Sequence, residues 1–138
     1  MKNFLETYQI LNKNNLHLLR SIYGDNVHFI DPAHEINGLE NLTDYFSSMY
    51  KNIESIAFDF HDTLQVENHG YVQWDMTFVH KKLAGAQPIT VKGVTFLKTD
   101  ENGKVFYHRD FFDLGAMVYE QVPVLGRLIT SIKKRLGK

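Results

Sequence analysis

The sequence predicts an α+β fold: a curved, mostly antiparallel sheet wrapped around N-terminal helices, with an extra helical tail at the C-terminus. Three observations carry this. Up to about residue 50 the apolar residues recur at three and four, the spacing of amphipathic helices. From about residue 55 to 112 they alternate with polar ones, the spacing of half-buried strands. Beyond residue 114 the helical period returns. The 138 residues suffice for one well-buried core, with residues 1–114 as the main domain and 115–138 as a tail packed on it.

Phe4, Leu5, Tyr8 and Leu11 predict a first helix over about residues 3–12. The Asn12-Lys13-Asn14-Asn15 cluster ends it and offers an N-cap to a short second helix containing Leu16, Leu18, Leu19 and Ile22. Tyr23-Gly24-Asp25-Asn26 reads as a turn. Val27 to Ile30 reads as a short strand, stopped at Asp31-Pro32 because proline removes a ladder donor. Asn37-Gly38 opens a third helix, with Leu39, Leu42, Tyr45, Phe46, Met49 and Tyr50 as its apolar stripe.

Four long strands follow. Ile56, Phe58, Phe60, Leu64 and Val66 share a face of the first, with Asp62 between Phe60 and Leu64. After the Asn68-His69-Gly70 turn, Val72, Trp74, Met76, Phe78 and His80 share a face of the second. Ile89, Val91, Gly93, Thr95 and Leu97 do so on the third. A turn at Asp100-Glu101-Asn102-Gly103 leads into the fourth, where Phe106, His108, Asp110 and Phe112 share a side.

Inward faces holding both rings and polar groups are unusual, because a buried charge is costly unless it is paired. Asp62, His80, Thr95, His108 and Asp110 among Phe58, Phe60, Trp74, Phe78 and Phe112 are therefore read as lining a ligand pocket. The alternative is a network of polar groups that satisfy one another in the core. Asp31 is open to two readings as well, a turn cap or a general base.

Composition bounds the rest. There is no cysteine, which excludes disulfides and thiolate metal sites. No two histidines lie one helical turn apart, so no metal and no cofactor are expected. Net charge is −1, yet residues 127–138 hold five basic residues and no acid. The acidic body is a poor partner for nucleic acid. The N-terminus lacks an apolar signal segment, and a cytoplasmic location is expected.

The order helix, short helix, Val27-His28-Phe29-Ile30-Asp31-Pro32, an Asn37-Gly38-initiated helix and four long strands resembles the nuclear transport factor 2-like superfamily, in its SnoaL-like and ketosteroid isomerase branch, over residues 1 to about 114. The resemblance implies a cone-shaped fold with a deep apolar pocket. It implies an isomerase or cyclase in which Asp31 is the general base and Tyr8 an oxyanion donor. The second oxyanion donor of the isomerase falls on Thr95, and a pocket methionine falls on His108. Epoxide hydrolysis, which uses an Arg-x-Asp pair in a related branch, is disfavoured because Arg109 and Asp110 are adjacent and point to opposite faces.

Two functions compete on this reading. One is proton abstraction next to a carbonyl of a small apolar molecule, by Asp31 with Tyr8, His108, Thr95 and Asp110 in the site. The other is a non-catalytic binding module for a lipid-like or aromatic ligand or a protein partner. A homodimer through the outer sheet face, which carries Tyr71, Val94, Phe96, Tyr107 and Phe111, is expected. The tail is read as a helix docked on the domain or a partner subunit, with a membrane surface as the alternative.

Overall fold

The computed structural model describes residues 1–137. Helix α1 (Lys2–Ile10) buries Phe4 and Tyr8 one turn apart, and Leu11 beyond them. The asparagine cluster stops it: Asn12 N donates to Asn15 Oδ1 at 2.7 Å, and Asn15 Nδ2 to the Ile10 carbonyl at 2.8 Å. A 3-10 turn, Leu16–Ser21, buries Leu16 and Leu19. Strands β1 (Tyr23–Ile30) and β2 (Glu35–Asn37) form a hairpin across the Asp31 turn. Gly38 enters helix α2 (Leu39–Tyr50) at a φ of +91°, which glycine alone adopts without strain. Leu42, Phe46 and Tyr50 are the buried stripe of α2.

β3 (Ile53–Val66), β4 (His69–His80), β5 (Ile89–Thr99) and β6 (Val105–Phe112) form an antiparallel meander. The sheet order is β2-β1-β6-β5-β4-β3, with β1 parallel to β6. Short helix α3 (Leu114–Met117), a turn at Tyr119–Gln121 and helix α4 (Pro123–Leu136) complete the chain. This is the α+β architecture expected from the residue periods. Among the described residues, no helix is long and apolar enough to cross a membrane.

Several expectations are corrected. Tyr23 to Asn26 is not a turn: Tyr23 is 1% exposed and pairs with Val105, and a register shift before His28 absorbs the residues between. β2 was not anticipated, being three residues long with only Ile36 half-buried. On β3 the register slips between Phe60 and Thr63. One extra residue inverts which face each later side chain takes. Asp62 is consequently exposed, as are Leu64 and Val66. On β6 the pairs Thr99–Val105 and Lys98–Tyr107 leave Phe106 as an extra residue, and it points outward, 40% exposed. His80 ends β4 half-buried, and its Nδ1 accepts from Lys82 N at 3.0 Å, so it caps the turn after the strand.

The core has two parts. One joins α1, the 3-10 turn, β1 and α2 through Phe4, Leu19, Val27, Phe29, Leu42 and Phe46. The other lies on β4 and β5, with Val72, Trp74, Phe78, Ile89 and Val91. Gly93 serves the second. It sits opposite Trp74, and a side-chain carbon there would fall on the indole and 2.9 Å from the Phe111 carbonyl oxygen. We expect Gly93→Ala to displace the indole and destabilise the fold by about 1–3 kcal/mol, the usual cost of overpacking, measured by urea denaturation.

Candidate functional site

Four strands and helices contribute one side chain each, and β6 two, to a continuous chain of hydrogen bonds. Tyr8 of α1 meets Tyr23 of β1 at 2.5 Å between hydroxyls. Tyr23 meets His108 Nδ1 at 2.7 Å. His108 Nε2 meets Asp110 Oδ1 at 2.7 Å. The same oxygen accepts from Thr95 Oγ1 at 2.5 Å, and Thr95 Oγ1 accepts from Trp74 Nε1 at 2.8 Å.

Donor chemistry orients the chain. An indole nitrogen only donates and a carboxylate only accepts. Thr95 therefore passes its hydrogen to Asp110. With Nε2–H donating to Asp110, His108 offers Nδ1 as an acceptor to Tyr23, and Tyr23 in turn accepts from Tyr8. Every hydrogen runs toward Asp110 Oδ1. This assignment rests on the bonding pattern, and it leaves each donor used.

The two ends differ in access. His108 is 2% exposed and enclosed by rings, with Phe29 at 4.6 Å and Phe4 at 5.7 Å between centroids. It is packed, not pocket-lining. The Asp110 side chain is 18% exposed. Its Oδ2 takes no hydrogen bond, and among the described residues no buried side-chain polar atom lacks a partner, so this oxygen reaches the surface. Phe112, two residues on along β6, shares its face and packs on Trp74 at 6.1 Å. Phe58 also packs on Trp74 and stacks on Phe60 at 5.7 Å. Phe58, Phe60 and Phe112 are half-buried, while Trp74 and Phe78 are buried.

Asp31 stands apart from this chain. Its Oδ1 accepts from Ala33 N at 2.8 Å and His34 N at 2.7 Å, and its Oδ2 accepts from the Tyr45 hydroxyl at 2.8 Å. Both oxygens are thus engaged in holding the β1–β2 turn and pinning α2 to it. A cavity of about 40 Å³ near the β5–β6 turn is lined by Met1, Phe4, Ile22, Gly70, Leu97 and Val105 among others, and by none of Asp31, His108 or Asp110. Among the described residues, no three acidic or imidazole groups are placed to hold a metal ion.

The structure brings together Tyr8, Trp74, Thr95, His108 and Asp110 of the residues singled out by sequence, flanked by Phe58, Phe60 and Phe112. It sets apart Asp31, Asp62 and His80. Two members were missed. The residue pattern puts Tyr23 in a turn and Tyr45 in an apolar stripe. The one available signal for Tyr23 was its place at the start of the alternation through Val27 and Phe29, which the bulge obscures.

Burial governs the tyrosines electrostatically. It holds the Tyr8 phenol well above the ordinary range, reinforced by Tyr23 and by the Asp110 charge. It pushes Tyr23 up as well, against a smaller opposing effect from the Tyr8 hydrogen bond. Tyr45 is raised by burial and then by the Asp31 charge, and Tyr50 by burial. A raised acid contributes stability that is full below its unfolded value, near 10 for tyrosine, and is lost as pH climbs past it. Alkaline titration followed by phenolate absorbance should therefore show these four tyrosines ionising only together with unfolding, as read by circular dichroism.

Comparison with known proteins agrees with this architecture. The SnoaL-like domain model matches residues 4–108. A protein from Shewanella putrefaciens proposed to be a SnoaL-like polyketide cyclase is 17% identical, with a TM-score of 0.74 over 88% of this chain and 94% of that one. A nuclear transport factor 2-like protein of unknown function from Burkholderia pseudomallei is 15% identical, with a TM-score of 0.73 over 85% of this chain and 92% of that one. TerC, co-crystallised with polyporic acid, is 12% identical, with a TM-score of 0.71 over 84% of this chain and 92% of that one. No curated protein sequence matches the chain. A cone-like sheet wrapped on α1 and α2, with the domain match spanning both helices and most of the sheet, places the chain in the SnoaL-like domain family.

Proposed function

We propose that this SnoaL-like protein is an isomerase or cyclase for a small apolar carbonyl compound, with Asp110 as its general base. One observation carries the reading: Asp110 Oδ1 is held by Thr95 and His108 while Oδ2 is unpartnered and accessible. A carboxylate anchored by one oxygen presents the other to a substrate at a defined angle. Phe112, Trp74, Phe58 and Phe60 supply rings against which a planar ligand would stack. In a β,γ-unsaturated carbonyl compound the base removes a proton from the carbon beside the carbonyl, holds it on Oδ2, and returns it to the γ-carbon of the conjugated dienolate, so that the double bond moves into conjugation. Asp31 is assigned a structural part instead, because backbone amides and Tyr45 occupy both its oxygens. A polyketide cyclase proposal for one structural neighbour and polyporic acid in another support an aromatic or polyketide-like substrate class.

A second reading is favoured by a different observation. Tyr8, Tyr23, Thr95 and Trp74 all direct their hydrogens within the chain, so none is free to hold an oxyanion. A site with a carboxylate and rings but no spare donor also suits a non-catalytic binding module for an aromatic or lipid-like ligand.

Deuterium exchange at the carbon beside the carbonyl of aryl ketones, followed by NMR, separates the two. The chain should accelerate exchange, and Asp110→Asn should slow it by about 10²–10⁴-fold, with ligand affinity kept within several fold. Asp31→Asn should lower thermal stability and leave the exchange rate nearly unchanged. Ligand binding without any exchange above buffer would select the binding module.

The outer sheet face also supports a homodimer, since Tyr71, Val94 and Phe111 are 45%, 38% and 51% exposed there. Sedimentation velocity should show a dimer that Phe111→Glu dissociates; a monomeric parent chain would remove this part of the proposal.

A further inference from the structure

Helix α4 is amphipathic, yet it docks by its small and polar side. Gly126 is buried against the Tyr119–Gln121 turn, where any side chain would collide with the Glu120 carbonyl. The Thr130 hydroxyl donates to the Gly126 carbonyl at 2.8 Å and reaches Glu120 Oε1 at 3.5 Å. The Lys133 ammonium bridges Asp113 and Glu120, the latter at 2.8 Å. At 3.6 residues per turn, Val124, Leu128 and Ile132 fall on the opposite side, with Leu125 and Leu136 beside them. Val124 is 81% exposed, Leu128 57% and Leu136 83%.

Arg127 and Lys134 lie between this stripe and the docked side, and Arg135 falls within the stripe between Val124 and Leu128. Arg127, Lys134 and Arg135 line an open groove of about 590 Å³ together with Thr130, Ser131 and, at its docked edge, Glu120, whose carboxylate is held by Lys133. Among the described residues these three cations form no ion pair, whereas Lys133 is neutralised by its two carboxylates.

We infer that α4 attaches the protein to an anionic lipid bilayer. The exposed stripe enters the boundary between headgroups and acyl chains, and the groove of arginine, lysine and serine side chains meets lipid phosphates. Charge complementarity selects this occupant. A second copy pairing through the same helix face about a two-fold axis would bring the cations of one copy against those of the other; residues 122–138 contain no acid, and Glu120 beside the groove is already paired with Lys133. An anionic membrane supplies the missing negative charge along with an apolar layer. The attachment is reversible and salt-sensitive, because one short helix inserts few apolar groups and surface charges are screened.

The full chain is sedimented with vesicles of phosphatidylcholine alone and of phosphatidylcholine mixed with phosphatidylglycerol, at low and at physiological salt. Binding is expected to the mixed vesicles only, and to weaken as salt rises. Leu128→Glu with Ile132→Glu should weaken it by more than about tenfold, and so should Arg127→Glu with Lys134→Glu and Arg135→Glu. The substituted side chains are solvent-facing, so both variants should melt at the parent temperature, and each tests the inference without the other. Parent protein left in the supernatant with mixed vesicles, or either folded variant binding as tightly as the parent, would overturn it. So would a dimer that Leu128→Glu with Ile132→Glu splits in the absence of any vesicle binding, which would give the stripe to a second copy.

Discussion

A carboxylate that can only accept hydrogen bonds, set at the edge of an aromatic core, is the constraint on which the rest of this structure depends. Asp110 Oδ1 ends a chain that begins at Tyr8 on one side and at Trp74 on the other. With His108 as the neutral Nε2–H tautomer, each intermediate group donates in one direction. That arrangement ties α1, β1, β4, β5 and β6 to a single geometry. A buried donor without a partner costs about 1–3 kcal/mol, so losing the acceptor would strand Thr95 and His108 together. The remaining oxygen of Asp110 inherits its position from this network, which holds the carboxylate by its other oxygen.

Small irregularities in the strands decide which groups join the chain. The extra residue at Phe106 on β6 lets Val105 and His108 both face inward. The slip on β3 removes Asp62, Leu64 and Val66 from the interior beyond Phe60. Gly93 leaves room for the indole of Trp74 to lie over β5, within reach of Thr95. A bulge or an absent side chain thus acts on function by re-aiming neighbours. Asp31 is consumed in the opposite manner: the turn it stabilises engages both its oxygens, so an acid that looks available in sequence is committed to holding backbone amides and Tyr45.

The tail shows the same competition between apolar burial and specific polar contacts. Its apolar stripe is wide enough to dock on a core, but Gly126, Thr130 and Lys133 find closer partners in Glu120 and Asp113. The helix is held by those contacts, and the stripe turns away from the protein. Body and tail consequently present two chemically distinct surfaces: an acid among rings at the cone, and cations beside aliphatic groups on α4.

Much of the architecture was legible in the residue pattern. Periods of three to four and of two mark where helices and strands run, because local geometry repeats at those intervals. Tyr8, Thr95, Trp74, His108 and Asp110 were legible as polar or ring-bearing members of inward faces, though not as one connected chain. Tyr23, Tyr45 and the fate of Asp31 were not. Their roles depend on contacts across long stretches of chain, such as Tyr23 with His108 and Tyr45 with Asp31. Composition and periodicity by themselves determined most element types, the apolar faces that are buried and the basic tail, since these follow from local backbone preference and burial. Strand register, the bulges, the direction of each hydrogen bond and the outward stripe of α4 were decided only by tertiary structure, because each depends on which distant partner first satisfies a polar group.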